Sequence, residues 1–169
     1  EAASKATLRC IDLTRQLLTF TRRQGKNKKV TNLNTTIKGL ETMIARSVTP
    51  RIEVQYTLAD DLRRVRIDPG EFQDTILNLV INARDAMPGG GKLLIETSNT
   101  HLKEGYISLN HEIEAGDYVQ MKLIDTGIGM SAETLEHIFE PFFTTKPEVE
   151  GTGLGLSVSM ALCLPTAVT

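Results

Sequence analysis

The sequence has little of what several classes of protein depend on. It contains only two cysteines, Cys10 and Cys163, which lie far apart in apolar contexts. Such a pair does not make a disulfide framework, so we interpret the two residues as buried thiols in a reducing compartment. The spacing of ligands that marks a metal site is also missing, and no internal repeat is visible.

Charge and hydropathy do not indicate a nucleic-acid-binding protein or a membrane-spanning segment. The net charge is -2 and the pI is about 6.0, which gives no reason to expect nucleic acid as the main partner. No apolar run approaches the length of a membrane span, and no signal peptide is visible. The 169 residues, 40% of them hydrophobic, suffice for one packed domain and an appendage. Because the chain opens at Glu1 within a helical pattern, we expect a fragment, and a membrane anchor elsewhere is compatible with it.

The most informative stretch is a helix predicted from Glu71 to Met87. Asp68 is a suitable N-cap, Pro69 suits the first turn, and Glu71 stands where a capping box has its acid. Apolar residues at helical spacing are predicted to face the core. They are Ile76, Leu79, Val80, Ala83 and Met87.

A second face of this helix is polar. Asn78, Asn82 and Asp85 recur at i, i+4 and i+7. Asparagine is a mediocre helix former, and amides beside apolar neighbours are costly when they are unpaired. The amides are therefore exposed, bonded to each other, or bound to a ligand, and the helix alone does not decide between these interpretations.

An amphipathic helix is predicted from about Ala3 to Arg23. Its apolar residues repeat at intervals of four and three, the heptad stripe of a helix that packs on other helices. They are Ala6, Cys10, Leu13, Leu17 and Phe20. A helix about 30 Å long cannot bury this stripe alone. We expect a bundle partner, either an upstream segment or a second subunit, and we interpret the basic residues that follow as a solvated linker.

The remaining patterns predict a mixed α and β domain with helices on one face of a sheet. The predicted elements are a helix over Asn34–Ser47, strands over Arg51–Ala59, Val65–Asp68, Lys92–Thr97 and Tyr118–Asp125, and a short helix over Glu133–Phe139. Asn99–Gly116 is predicted as a polar excursion between two strands.

Two glycine-rich turns follow the last strand. Asp125 ends that strand and runs into Gly127 and Gly129, where glycine allows a tight turn and close approach to a ligand. A carboxylate there can accept a hydrogen bond from the exocyclic amino group of adenine. Further on, a polar segment leads to the turn at 151–157, which can offer backbone N–H groups to phosphate, and Lys146 can add a positive charge.

Two other motifs do not carry function. The run of glycines ending at Gly91 and Lys92 lacks the spacing of a P-loop, and we interpret it as a helix-to-strand turn. His111 stands in HEIE, which faintly resembles a phosphoacceptor box. It lies in a loop after the central helix and lacks the long amphipathic helix that such a histidine needs.

The order of these motifs resembles the catalytic, ATP-binding domain of sensor histidine kinases. The central helix with Asn78 and Asn82, then DTGIG, FEPFF and GTGLGLS, resemble the N, G1, F and G2 boxes of that family. LTRQLLTFTRRQ resembles the second helix of its dimerisation and phosphotransfer hairpin, and the long connection before AGDYVQMKLIDTGIGM resembles its hybrid kinases.

The resemblance implies a fold and a division of the chain. The fold would be α+β, a two-layer sandwich of the Bergerat type with a mixed sheet, and its C-terminal strands would be incomplete. Residues 1–25 would be part of the second hairpin helix, 26–29 a basic linker and 30–169 the catalytic domain. The location would be the bacterial cytoplasm, and the partners would be a phosphoacceptor helix or second subunit and a response regulator.

The resemblance also implies roles for individual residues. Asn82 would coordinate Mg²⁺, Asn78 would act beside the ATP phosphates together with Lys146, and Asp125 would bind the adenine amino group. Gly127 and Gly129 would close the chain around the base. The other residues implied to bind nucleotide are Asp85, Met130, Phe139, Phe142, Thr145, Gly151, Thr152, Gly153, Leu154, Gly155 and Leu156, and Phe143 would help Phe139 and Phe142 to anchor the lid.

Three features depart from the family pattern. None of His101, His111 and His137 stands in a phosphoacceptor context, so the chain should not phosphorylate itself at the usual site. Asp85 occupies a position where many relatives carry Lys or Arg. The family's closing glycine-rich turn and strands do not follow GTGLGLS before Thr169.

Three functions remain open at this level. The first is transfer of the ATP γ-phosphoryl group to a histidine outside this chain. The second is ATP hydrolysis, as in relatives that carry Glu at the position of Asn78, although an amide cannot activate water as a base. The third is a non-catalytic module that interacts through its first helix and no longer binds nucleotide.

Overall fold

The computed structural model describes residues 27–103, 107–108, 111–112, 115–140 and 143–145. Its elements are β1 (Lys29–Thr31), α1 (Leu33–Ser47), β2 (Ile52–Leu58), β3 (Val65–Ile67), α2 (Pro69–Ala86), β4 (Gly91–Leu102), β5 (Ile107–Ser108), β6 (His111–Glu112), β7 (Gly116–Asp125) and α3 (Ala132–His137). The helix predicted over 3–23, both cysteines and the turn at 151–157 lie outside the described residues. None of the described helices combines the length and apolar character needed to cross a membrane.

A mixed sheet with the order β2-β4-β7 forms one layer of the fold. β2 and β4 are parallel, whereas β4 and β7 are antiparallel. Parallel neighbours need a crossover connection, and β3 and α2 provide it. β1 and β3 form a separate antiparallel pair. The fold is therefore the predicted two-layer α+β arrangement.

The core lies between the sheet and the helices α1 and α2. Its largest fully buried side chains are Ile37, Ile44, Val65, Ile76, Val80, Leu93 and Ile95. The predicted inner stripe of the central helix is confirmed for Ile76, Val80, Ala83 and Met87, which are all buried, whereas Leu79 is only half-buried.

The start of α2 shows how its sequence defines it. Asp68 is the N-cap, and its Oδ1 accepts hydrogen bonds from the backbone N–H groups of Gly70 at 2.9 Å and Glu71 at 3.3 Å. The pKa of the Glu71 carboxyl is raised by burial and by the charge of Asp68. The cap is thus supplied by Asp68, and α2 begins two residues earlier than predicted, at Pro69.

The segment between the last two long strands differs from the prediction. β4 continues to Leu102, and its final residues pair with the beginning of β7, with His101 opposite Asp117. Asp117 accepts from His101 at 2.9 Å and pairs with Arg63 at 2.8 Å. His101, which was predicted within the polar excursion, therefore lies in a strand and has a cross-strand partner. The short strands β5 and β6 pair within the same segment, and β1 begins inside the predicted linker, where Lys29 lies opposite Ile67.

Candidate functional site

The amide face of α2 leads toward the end of the sheet. Asn78 and Asn82 are half-buried, and Ala86 follows them after another four residues. Residues at this spacing lie along one side of a helix, about 6 Å apart along its axis. The two amides and Ala86 thus form one line that ends at the C-terminus of α2.

The loop after β7 is fastened to the end of this line. The backbone N–H of Ile128 donates to the carbonyl oxygen of Ala86 at 3.0 Å. A Cβ atom on Gly127 would lie 2.7 Å from both the Cβ and the carbonyl oxygen of Ala86. Only glycine allows this approach, which brings the DTGIG loop beside the amide face.

Asp125 has one carboxylate oxygen engaged within its own loop. Its Oδ1 accepts from the backbone N–H of Gly127 at 2.9 Å, and the residue is exposed. The second oxygen, Oδ2, has no role in this turn. The loop therefore orients an exposed carboxylate and leaves an acceptor that can meet a ligand.

The loop continues as an exposed apolar surface. Gly129 has a φ of 69°, a left-handed conformation that favours glycine. Ile128 and Met130 on either side are 83% and 53% exposed. The loop thus presents apolar side chains next to the Asp125 carboxylate, which is a suitable surface for a flat aromatic ligand.

Asp85 is already paired within α2. Its Oδ1 accepts from Arg84 Nε at 2.8 Å and from Nη2 at 2.7 Å, and Arg84 Nη1 donates to the Ser47 carbonyl at 3.3 Å. Both side chains are about one-third exposed (36% and 31%). The sequence suggested that the negative charge of Asp85 was unusual beside phosphates, and Arg84 is the neighbouring cation that compensates it.

The end of α3 and the residues that follow it form a small cluster. Ser131 caps α3 by accepting from the Thr134 N–H at 3.1 Å. His137 Nδ1 lies 2.8 Å from Glu140 Oε1, and its ring centroid is 5.6 Å from that of Phe143. This hydrogen bond to Glu140 raises the pKa of His137.

The structure brings together some of the predicted site residues. Asn78 and Asn82 lie on one side of α2, and the loop with Asp125, Gly127, Gly129 and Met130 is attached to the C-terminus of that helix at Ala86. Phe139, Phe143 and Thr145 follow α3. Phe142, Lys146 and 151–156 fall outside the described residues. Ala86 and Thr126 were missed, because a small residue and a threonine carry no recognisable periodic signal. No cluster of His, Cys, Asp or Glu that could hold a metal ion occurs in the described part of the chain.

Comparison with known proteins identifies this arrangement. Residues 67–165 match the family described as histidine kinase-, DNA gyrase B- and HSP90-like ATPases. The sensor kinase CckA of Brucella abortus (strain 2308) is 42% identical over 150 residues, covering 89% of this chain and 16% of that protein. The chain thus spans a small part of this relative.

Two solved structures have a similar fold. The catalytic domain of the histidine kinase ThkA superposes with a TM-score of 0.56 and 28% identity, covering 78% of this chain and 76% of that one. A complex of ThkA with the response regulator protein TrrA gives a TM-score of 0.61 at 22% identity, covering 94% and 41%.

The chain belongs to the family of histidine kinase-, DNA gyrase B- and HSP90-like ATPases. Within this family it is an ATP-binding catalytic domain of the sensor histidine kinase type. Membership in an ATPase family implies that ATP is the nucleotide it uses.

The contact between Gly127 and Ala86 predicts a specific stability effect. Gly127→Ala should lower the free energy of unfolding by about 1–3 kcal/mol, because the added methyl group collides with backbone that cannot move freely. Urea denaturation measures the change. Gly89→Ala is the matched control, since a Cβ there meets nothing within 4 Å. Equal effects of the two substitutions would contradict the proposed docking of the loop.

The cluster around His137 predicts a pH dependence. NMR titration should give His137 a pKa above the ordinary value of about 6.5, and Glu140→Gln should lower it, because the hydrogen bond to the carboxylate is the largest cause of the shift. Since the folded pKa is raised, this contact stabilises the cluster fully below the ordinary histidine pKa while Glu140 is ionised, and the stabilisation is lost as the pH rises through the raised pKa. Glu133→Gln, which removes a weaker influence on the same ring, is the control and should change the pKa less.

Proposed function

We propose that this chain is the catalytic module of a two-component sensor histidine kinase and transfers the γ-phosphoryl group of ATP to a histidine outside the chain. The observation that carries the proposal is the hydrogen bond from Ile128 to Ala86, which places the Asp125 loop at the end of the Asn78 and Asn82 line. The adenine-binding group in the loop and the phosphate-binding face of α2 are thereby held in a fixed relative position.

Asp125 is the proposed adenine-binding residue. Its Oδ1 is held by Gly127, so Oδ2 can accept from the exocyclic amino group of the base. Gly127 and Gly129 keep the backbone close to the ligand, and Met130 supplies apolar contact. Phe139, Phe142 and Phe143 would anchor the lid that covers the nucleotide.

Asn82 is the proposed Mg²⁺ ligand. The donor set fits this ion, because Mg²⁺ takes hard oxygen ligands and retains several waters, so that one amide oxygen from the protein suffices beside the ATP phosphates. When bound, the ion would neutralise charge on the phosphates. Arg84, which pairs with Asp85, offsets the negative charge of that carboxylate on the same helix.

The remaining phosphate contacts are proposed for the second glycine-rich segment. Lys146 would add a cation, and the backbone of Gly153 and Gly155 would offer N–H groups. Thr145, Gly151, Thr152, Leu154 and Leu156 would complete the lid around the phosphates.

Transfer is favoured over hydrolysis by the chemistry of Asn78. An amide cannot take a proton from water, so the site lacks the general base of the hydrolytic relatives at this position. The site holds ATP for in-line attack by a histidine that belongs to another protein or to another segment. The structure of ThkA bound to TrrA supports a response regulator as the later phosphoryl acceptor, and the stripe on the first predicted helix supports a homodimer.

Adenine recognition is tested by Asp125→Asn. The amide oxygen can still accept from Gly127, but the NH₂ group would face the adenine amino group, donor to donor. Calorimetric titration should therefore show ATP affinity lower by about 10–100-fold, the scale of a lost charge-assisted hydrogen bond. Asp60→Asn is the control. Asp60 is exposed and follows Ala59, whose N–H donates to Thr97 on β4. Thr97 lies about 13 Å along β4 from Leu93, the residue opposite Asp125. Unchanged binding in Asp125→Asn would refute the proposed pocket.

Phosphoryl transfer is tested with labelled ATP and the full-length gene product. Acid-labile phosphohistidine should form, and mass spectrometry should map it to a residue other than His101, His111 and His137. Asn82→Ala should slow the reaction by about a hundredfold, the scale for one preorganised group at a charged transition state. Asn27→Ala, at an exposed asparagine, should leave the rate unchanged. Release of free phosphate without phosphohistidine would favour hydrolysis instead.

A further inference from the structure

Thr126 connects the Asp125 carboxylate to the sheet in an unusual way. Regular pairing of β4 and β7 ends where Leu93 lies opposite Asp125. Beyond that point, the Thr126 N–H donates to the Lys92 carbonyl at 3.2 Å, and the Lys92 N–H donates to Thr126 Oγ1 at 3.0 Å. The hydroxyl takes the place of a backbone carbonyl, so the chain can leave the sheet immediately after Asp125.

The hydroxyl of Thr126 is held from a second side. It donates to the sulfur of Met87 at 3.7 Å, and Met87 is only 2% exposed. A Cβ atom on Gly91 would lie 2.5 Å from Thr126 Oγ1 and 2.7 Å from Met87 Sδ. The glycine at the start of β4 therefore provides the space in which this hydroxyl sits, and the sulfur and the Lys92 N–H together fix its direction.

We propose that Thr126 is a positioning residue that orients the Asp125 carboxylate and thereby sets the preference for a 6-amino purine over a 6-oxo purine. This inference rests on the proposed function. Thr126 stands between the carboxylate and the Gly127 N–H that binds it. Rotation of the Thr126 backbone would therefore separate donor from acceptor and change where Oδ2 points.

The Thr126 hydroxyl should affect the orientation of the Asp125 carboxylate more than the stability of the domain. Lys92 is exposed, so water can satisfy its N–H when the threonine hydroxyl is removed, and the domain should remain folded. Water cannot replace the hydroxyl in fixing the direction of the Asp125 carboxylate. Loss of the hydroxyl should therefore change the choice of base more than it changes unfolding.

The experiment compares the affinities for ATP and inosine triphosphate by calorimetric titration of the 169-residue chain. The two nucleotides differ at the 6-position of the base. Thr126→Val should lower the preference for ATP by about 3–10-fold, the value of one hydrogen bond. Thr126→Ser, which restores the hydroxyl, should keep the preference within about twofold. Thr57→Val makes the same change at an exposed position of β2 and should leave the preference unchanged.

The outcomes distinguish the inference from the function on which it rests. If the parent chain shows no preference for ATP, or Asp125→Asn retains it, adenine recognition by Asp125 fails and the inference fails with it. If Asp125→Asn loses the preference but Thr126→Val keeps it, only the positioning role is overturned. Equal weakening of both nucleotides in Thr126→Val would also overturn it, since that is the result of a purely structural role. Thr126→Ala provides a second test of the hydroxyl if the valine variant does not fold.

Discussion

The site depends on the attachment of one loop to one helix end. The Ala86 carbonyl is among the last of α2 and lacks a partner within the helix, and the Ile128 N–H satisfies it at 3.0 Å. The same contact requires glycine at position 127. A backbone requirement of the helix and the placement of the Asp125 carboxylate are therefore met by a single hydrogen bond, and the loop cannot move away without exposing an unpaired carbonyl.

The negative charge of Asp85 on α2 is compensated by the adjacent residue, Arg84. The helix offers amides rather than acids at positions 78 and 82, and Arg84 pairs with the carboxylate of Asp85, which lies three residues beyond Asn82. Arg84 also donates to the Ser47 carbonyl at the end of α1, so the cation is held between the two helices. The negative charge of Asp85 is therefore compensated beside Asn82, where the phosphates of a nucleotide are proposed to bind.

Much of the architecture could be predicted because its determinants are local. The Asp68 cap, the buried stripe through Ile76 and Val80 and the strand that ends at Asp125 all follow from spacing and capping rules. The end of the long β4–β7 pair was harder. His101 was predicted to lie in a polar excursion, because its hydrogen bond to Asp117 on the neighbouring strand is not revealed by any local pattern.

The sequence by itself determined the family, the amide face of α2 and the Asp125 loop, because ordered motifs and helical periodicity are properties of the chain. Only the tertiary structure decided that Ala86 receives the loop, that Arg84 pairs with Asp85, and that Thr126 bonds to Lys92 and Met87. Thr126 and Lys92 are separated by 34 positions. A contact of this kind depends on the register of β4 and β7 and on the space left by Gly91, and neither can be read from the residues that make it.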